Sequence, residues 1–173
     1  MKEVEIKILE INKREVIARL LREGARKIFQ GTLETVYYDF PNRSLRKNGK
    51  VIRLRNEKNG CEMTFKKKMR SSKAKVMQEI EVGVSDYSKI ARIFKGIGLK
   101  PIFRAKKIRT SYRLGAARFE IDEYPGIPVF LEIETTSVAA LSKVMNRMSF
   151  KKDQIKHWST FELFKHYKQK EMS

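Results

Sequence analysis

Cysteine and histidine are scarce in this sequence: one Cys and two His among 173 residues. Cys61, being alone, can form neither an intrachain disulfide nor a cysteine-based metal cluster. His157 and His166 stand at a spacing that matches no common metal motif. No run of about 18 apolar residues occurs, so no membrane-spanning helix is expected. The first ten residues, MKEVEIKILE, alternate in polarity and lack the apolar core of a signal peptide. These absences predict a soluble, cytoplasmic protein without membrane insertion. A GxxxxGK[ST] motif is also missing, which argues against a P-loop enzyme. Neither a linker, a low-complexity tract nor a fixed-period repeat interrupts the chain, so residues 1–173 are expected to form one domain.

Charge is what the sequence has in excess. Charged residues make up 34%, and 39 Lys and Arg against 20 Asp and Glu give a formal net charge of +19. Such a balance attracts anions: nucleic acid, acidic membrane surfaces or phosphorylated small molecules. It serves solubility equally well.

The hydrophobic periodicity alternates between strands and helices. Glu3 to Ile8 alternates strictly and reads as a strand. Asn12 with Glu15 opens a helix, Val16, Ile17, Leu20 and Leu21 form its apolar stripe, and Gly24 stops it. Extended segments follow at Thr35 to Phe40, ending at Pro41-Asn42, and at Val51 to Asn56 and Cys61 to Lys68, around an Asn59-Gly60 turn signal. Val76 to Val84 alternates again. Tyr87 to Ile97 reads as a helix with Ile90, Ala91, Phe94 and Ile97 on one face. Ile102 to Leu114, Arg118 to Glu123 and Val129 to Thr135 are strands, and Val138 to Met148 is helical. Ser159 with Glu162 caps a closing helix through Tyr167.

The polar faces of these strands carry charge in strand after strand. The cations are Lys7, Arg53, Arg55, Lys66, Lys68, Lys107, Arg109 and Arg118; the acids are Glu3, Glu5, Glu79, Glu81, Glu120, Asp122, Glu132 and Glu134. A solvated face with weak cross-strand pairs explains any one strand. Seven strands together suggest more, because solubility does not require a long charged side chain at each polar position. Carboxylate oxygens hold hard divalent cations, while Arg and Lys bind phosphate oxygens. A metal-chelated polyphosphate needs both. This face takes eight of the basic and eight of the acidic residues, so the net positive charge lies elsewhere.

Glu3-Val4-Glu5-Ile6-Lys7 resembles the Glu-x-Glu-x-Lys opening of the CYTH family, the triphosphate tunnel metalloenzymes. The later motifs follow in the family's order: VIRLR at 51–55, TFKKK at 64–68, QEIEV at 78–82, KKIRTSY at 106–112, RFEIDEYPGIP at 118–128 and FLEIE at 130–134. The resemblance covers about residues 2–135, and WSTFELFKHY is similar to a C-terminal helix of the family. It implies an α+β fold, an eight-stranded antiparallel barrel with a charged tunnel inside and helices packed outside. It further implies that Glu3, Glu5, Asp122, Glu132 and Glu134 hold Mg²⁺ or Mn²⁺, with Glu5, Asp122 and Glu134 foremost. Lys7, Arg53, Arg55, Lys66, Lys107 and Arg109 match phosphate ligands and, with Glu5, the catalytic set; Lys68 and Arg118 extend the substrate contacts. Glu79 and Glu81 match an acidic pair that orients these cations or water, and Glu120 supports them.

The leading expectation is metal-dependent hydrolysis of an inorganic, nucleoside or thiamine triphosphate. The alternative is a class IV adenylate cyclase, which turns ATP into cyclic AMP and pyrophosphate. A second alternative, favoured by the net charge and by Lys66-Lys67-Lys68 and Lys151-Lys152, is a non-catalytic binder of polyphosphate or nucleic acid. The oligomeric state, a dimer included, is left open by the sequence.

Overall fold

Alternation in the first strand, β1 (Lys2–Ile8), sends Val4, Ile6 and Ile8 to one side and Glu3, Glu5 and Lys7 to the other, yet both sides are buried. A single half-solvated sheet cannot do this; a sheet closed on itself and covered outside can. The computed structural model describes residues 2–57, 60–71, 74–148 and 150–171. Its remaining strands are β2 (Arg26–Asp39), β3 (Lys50–Glu57), β4 (Gly60–Met69), β5 (Lys75–Val84), β6 (Lys100–Leu114), β7 (Ala117–Glu123), β8 (Phe130–Thr135) and the short β9 (Ile155–Lys156). The helices are α1 (Lys13–Arg22), α2 (Ser44–Lys47), α3 (Tyr87–Gly96), α4 (Val138–Met148) and α5 (Thr160–Glu171). None is long and apolar enough to cross a membrane.

The strand order is β5-β4-β3-β2-β6-β7-β8-β1, and β1 pairs back to β5, so eight antiparallel strands close into a ring. One edge of β1 lies along β8, with Glu5 opposite Glu134 and Lys7 opposite Glu132. Its other edge is shared: β5 takes Lys2 to Glu5, and β9 takes Lys7 and Ile8. Outside the ring, Val4, Ile6, Phe119, Ile121 and Ile133 pack under Val16 and Leu20 of α1 and Leu141 and Met148 of α4. Phe94 of α3 covers Val36, Tyr38 and Leu54 of β2 and β3. Leu163 and Tyr167 of α5 close over Leu9, Tyr124 and Phe130.

Local signals set the helix ends. The Asn12 side chain accepts from the backbone N–H of Arg14 and Glu15 and donates to Glu15 Oε1 at 2.8 Å, and Gly24 leaves α1 with φ +82°. Ser159 and Glu162 exchange hydrogen bonds as a capping box for α5. Two apolar stripes turn out narrower than the periodicity suggests: Leu21 of α1 is 54% exposed, and Ile97, just past the end of α3, is 60% exposed. The segment read as Thr35 to Phe40 is the end of a 14-residue β2, whose long pairing with β6 carries a polar first half into the sheet. Glu57 and Gly60 pair at the β3–β4 hairpin, while Asn59 lies outside the described residues.

Candidate functional site

The register sends one parity of each ring strand inward, and all sixteen charged positions singled out above share it. Across β1, β8 and β7, Glu5 lies opposite Glu134 and Glu134 opposite Arg118, while Lys7 lies opposite Glu132 and Glu132 opposite Glu120. Across β6 and β7, Arg109 faces Asp122. On the other half, Arg53 faces Thr64, Thr64 faces Glu81, and Lys66 faces Glu79. All of them but the fully buried Asp122 line a cavity of about 930 Å³ that runs from Arg113 and Arg118 at one end of the strands to Lys50 and Lys68 at the other. Lys68 and Arg118 thus sit at opposite mouths, both exposed.

The interior is matched by ion pairs. Lys7 Nζ lies 2.6 Å from Glu132 and 3.5 Å from Glu5. Lys66 reaches Glu3 at 2.6 Å and Glu79 at 2.9 Å. Asp122, fully buried, accepts from Lys107 and from both Nε and an Nη of Arg109, each at 2.6 Å. Arg109 also donates to Glu132 at 2.6 Å and pairs with Glu120. Pairing is looser at Arg53, 3.4 Å from Glu81 and 3.7 Å from Glu79 and Glu62; Arg55 lies 3.5 Å from Glu62.

Two groups of three carboxylates gather here, Glu3 with Glu5 and Glu134, and Glu120 with Glu132 and Glu134. In each, the candidate ligand oxygens lie within 4.8 Å of one another. Hard oxygen donors so spaced fit Mg²⁺ or Mn²⁺. Their crowding also shows in their acidities. Burial, with Glu5 adding to it, pushes the Glu3 carboxyl up to about 8. Burial raises Glu134 too, against the pull of Arg109, with Glu132 and Glu5 reinforcing the rise. Glu5 instead stays below the usual carboxylate range: burial alone would raise it, but Lys7 and Lys75 outweigh burial. Burial, then Arg109, lower Lys107 to about 8; burial, then Glu79, raise Glu81 to about 7.

Asp122, read from sequence as a foremost metal ligand, belongs to neither group; Glu120, read as supporting, stands in one. Several inner residues were missed. Lys75 pairs with Glu5 and lies in step with Glu79 and Glu81, one residue ahead of the alternation that starts at Val76. Glu62 shares the parity of Thr64 and Lys66 and binds both arginines of β3. Tyr37, opposite Arg53, shares the inner parity but carries no charge to mark it, and the α5 residues Thr160 and Phe161 reach the cavity from outside the strands.

The same fold recurs in solved structures. A conserved hypothetical protein of Pyrococcus furiosus superposes with a TM-score of 0.79 at 25% identity, covering 93% of this chain and 99% of that one. A Hippeastrum protein, described as a putative adenylyl cyclase with a dominant triphosphatase activity, superposes with a TM-score of 0.69 at 14% identity, covering 95% of each chain. In sequence, the chain is 28% identical to the "Putative adenylate cyclase MJ0240" of Methanocaldococcus jannaschii over 172 residues, 94% of this chain and 98% of that protein. The CYTH domain matches residues 1–157, and the chain belongs to this family, which is metal-dependent and binds triphosphate substrates such as ATP.

Proposed function

We propose that this chain hydrolyses a triphosphate inside its closed, charged sheet. The observation that carries the reading is the sharing of one buried inner face by two carboxylate triplets and by Lys7, Arg53, Arg55, Lys66, Lys107 and Arg109. Glu3, Glu5, Glu120, Glu132 and Glu134 would hold Mg²⁺ or Mn²⁺, with Asp122 fixing Arg109 and Lys107 beside them. A bound divalent cation supplies Lewis-acid polarisation of phosphate oxygens. The inner Arg and Lys would line the phosphate chain and neutralise charge on the transferring phosphoryl group and its leaving oxygen. Lys107, with a pKa near 8, is suited to give the departing oxygen its proton. Water attacks phosphorus, the bond to the bridging oxygen breaks, and no covalent enzyme intermediate is needed. Glu79 and Glu81 would hold Lys66 and Arg53 in line.

The name of the 28% identical relative favours a second reading, cyclisation of ATP, in which the ribose 3′-hydroxyl replaces water and pyrophosphate leaves. Incubation with ATP, tripolyphosphate and thiamine triphosphate, each with Mg²⁺ or Mn²⁺, separates the two. Orthophosphate without cyclic AMP is the expected result. Cyclic AMP with stoichiometric pyrophosphate would overturn hydrolysis in favour of the cyclase.

A further inference from the structure

Most inner cations already have carboxylate partners, but Arg46 has a different setting. It sits on α2, away from the alternating strands, and its exposed side chain reaches the cavity lining. Among the described residues no carboxylate lies within ion-pair distance of it. Its guanidinium carbon instead lies over the Phe161 ring of α5, 4.8 Å from the centroid. A ring face attracts the cation without taking up its in-plane N–H groups, so the planar fork stays open to an anion.

The placement of Arg46 is enforced from beneath. Asp39 ends β2, is 1% exposed, and its carboxylate takes three backbone N–H groups: Phe40 at 2.7 Å, Leu45 at 2.9 Å and Arg46 itself at 3.0 Å. Arg43, with φ 60° in the left-handed region, makes the reversal that turns Leu45 and Arg46 back toward this carboxylate. Phe161 is fixed in turn by ring contacts with Tyr37 at 5.1 Å and Phe103 at 5.3 Å. Both halves of the Arg46–Phe161 contact are therefore held by buried structure, although the contact itself is at the surface.

We propose that Arg46 is the entry ligand for the triphosphate, receiving the phosphate chain at the mouth between α2 and α5, and that Asp39 is the positioning residue that sets it there. This rests on the triphosphate reading of the channel. A phosphate forms charge-assisted, bidentate hydrogen bonds that a ring face cannot match, so arrival of the substrate draws the guanidinium off Phe161 and into the cavity. The requirement is for Arg: an ammonium in its place offers charge without the fork.

The test uses the full chain, tripolyphosphate turnover with Mg²⁺, and calorimetric titration of tripolyphosphate without turnover. R46A is expected to weaken tripolyphosphate binding roughly tenfold or more, with the loss falling on KM more than on kcat, and R46K to recover only part of it. D39N should shift KM in the same direction, and D39N/R46A should bind no more weakly than R46A alone, since Asp39 acts through Arg46. D39S, which keeps one acceptor oxygen, carries the same comparison should D39N not fold. An R46A affinity equal to wild type, or losses in the double variant that multiply, overturns the proposal. Absence of wild-type turnover would remove the hydrolase reading alone, because the affinity comparison still decides the role of Arg46.

Discussion

The two halves of the ring are built differently. Around β1, β7 and β8 both faces are buried: Ile6, Phe119, Ile121 and Ile133 lie under α1 and α4, while Lys7, Glu120, Asp122 and Glu132 fill the inside. Around β4 and β5 the outer face is partly bare, with Ile80 60% and Val82 46% exposed. Inside the ring the arginines differ too: Arg109 meets Asp122 at 2.6 Å, whereas Arg53 of β3 reaches its carboxylates at 3.4–3.7 Å. A braced half keeps carboxylates at fixed spacing, as a cation site requires. Under the triphosphate reading proposed above, the longer contacts of Arg53 would be the easier ones to exchange for a phosphate.

Substitutions can break this contrast from either side. The largest effect is expected in the braced half, where Phe119→Ala should lower unfolding stability by about 3–5 kcal/mol in denaturant titration. Next, Glu134→Gln should keep the fold, checked by circular dichroism, and reduce triphosphate turnover on the order of 100-fold. A smaller effect concerns Glu3, whose carboxyl is pushed up to about 8. Cation binding needs its carboxylate, so Mg²⁺ affinity should rise with pH toward about 8, with proton release below it, measurable by calorimetry in two buffers. Because the folded value exceeds the ordinary 4.5, the same group's contribution to metal-free stability is greatest below about 4.5 and fades as pH rises through about 8. The smallest effect belongs to the open half: Ile80→Ser should change stability by no more than about 0.5 kcal/mol in the same titration. A large loss there would erase the distinction between the halves.

The alternating strands made the inner face legible, since parity alone sorts Glu5 from Ile6 and Arg53 from Leu54. Closure was not readable from parity, because it depends on Lys2 to Glu5 meeting Lys75 to Gln78, a pairing of distant segments. The family resemblance supplied it. The first half of β2, Arg26 to Leu33, hid because Gly31 and Gln30 interrupt any apolar rhythm; its strand state comes from pairing with β6. Alternation names the face that Asp122 and Glu120 share and leaves their partners unspecified: Arg109 and Lys107 contact Asp122, while Glu120 stands within 4.8 Å of Glu132 and Glu134. Asp39 and Arg46 escaped notice because one ends β2 and the other sits on the four-residue α2, and bonds from a carboxylate to backbone N–H groups leave no periodic signal.

The seating of β1 between two distant neighbours bears on the order of folding. Glu5 pairs with Lys75 on one side and with Glu134 on the other, so the first strand of the chain gains its second partner only when β8 is in place. Until then β1 and β8 are open edges, each able to recruit another chain. Pairings this remote slow folding, and the carboxylates of β1 meet those of β8 in the same event that removes the edges. Closure of the charged cavity and removal of the open edges thus depend on the same β1–β8 pairing.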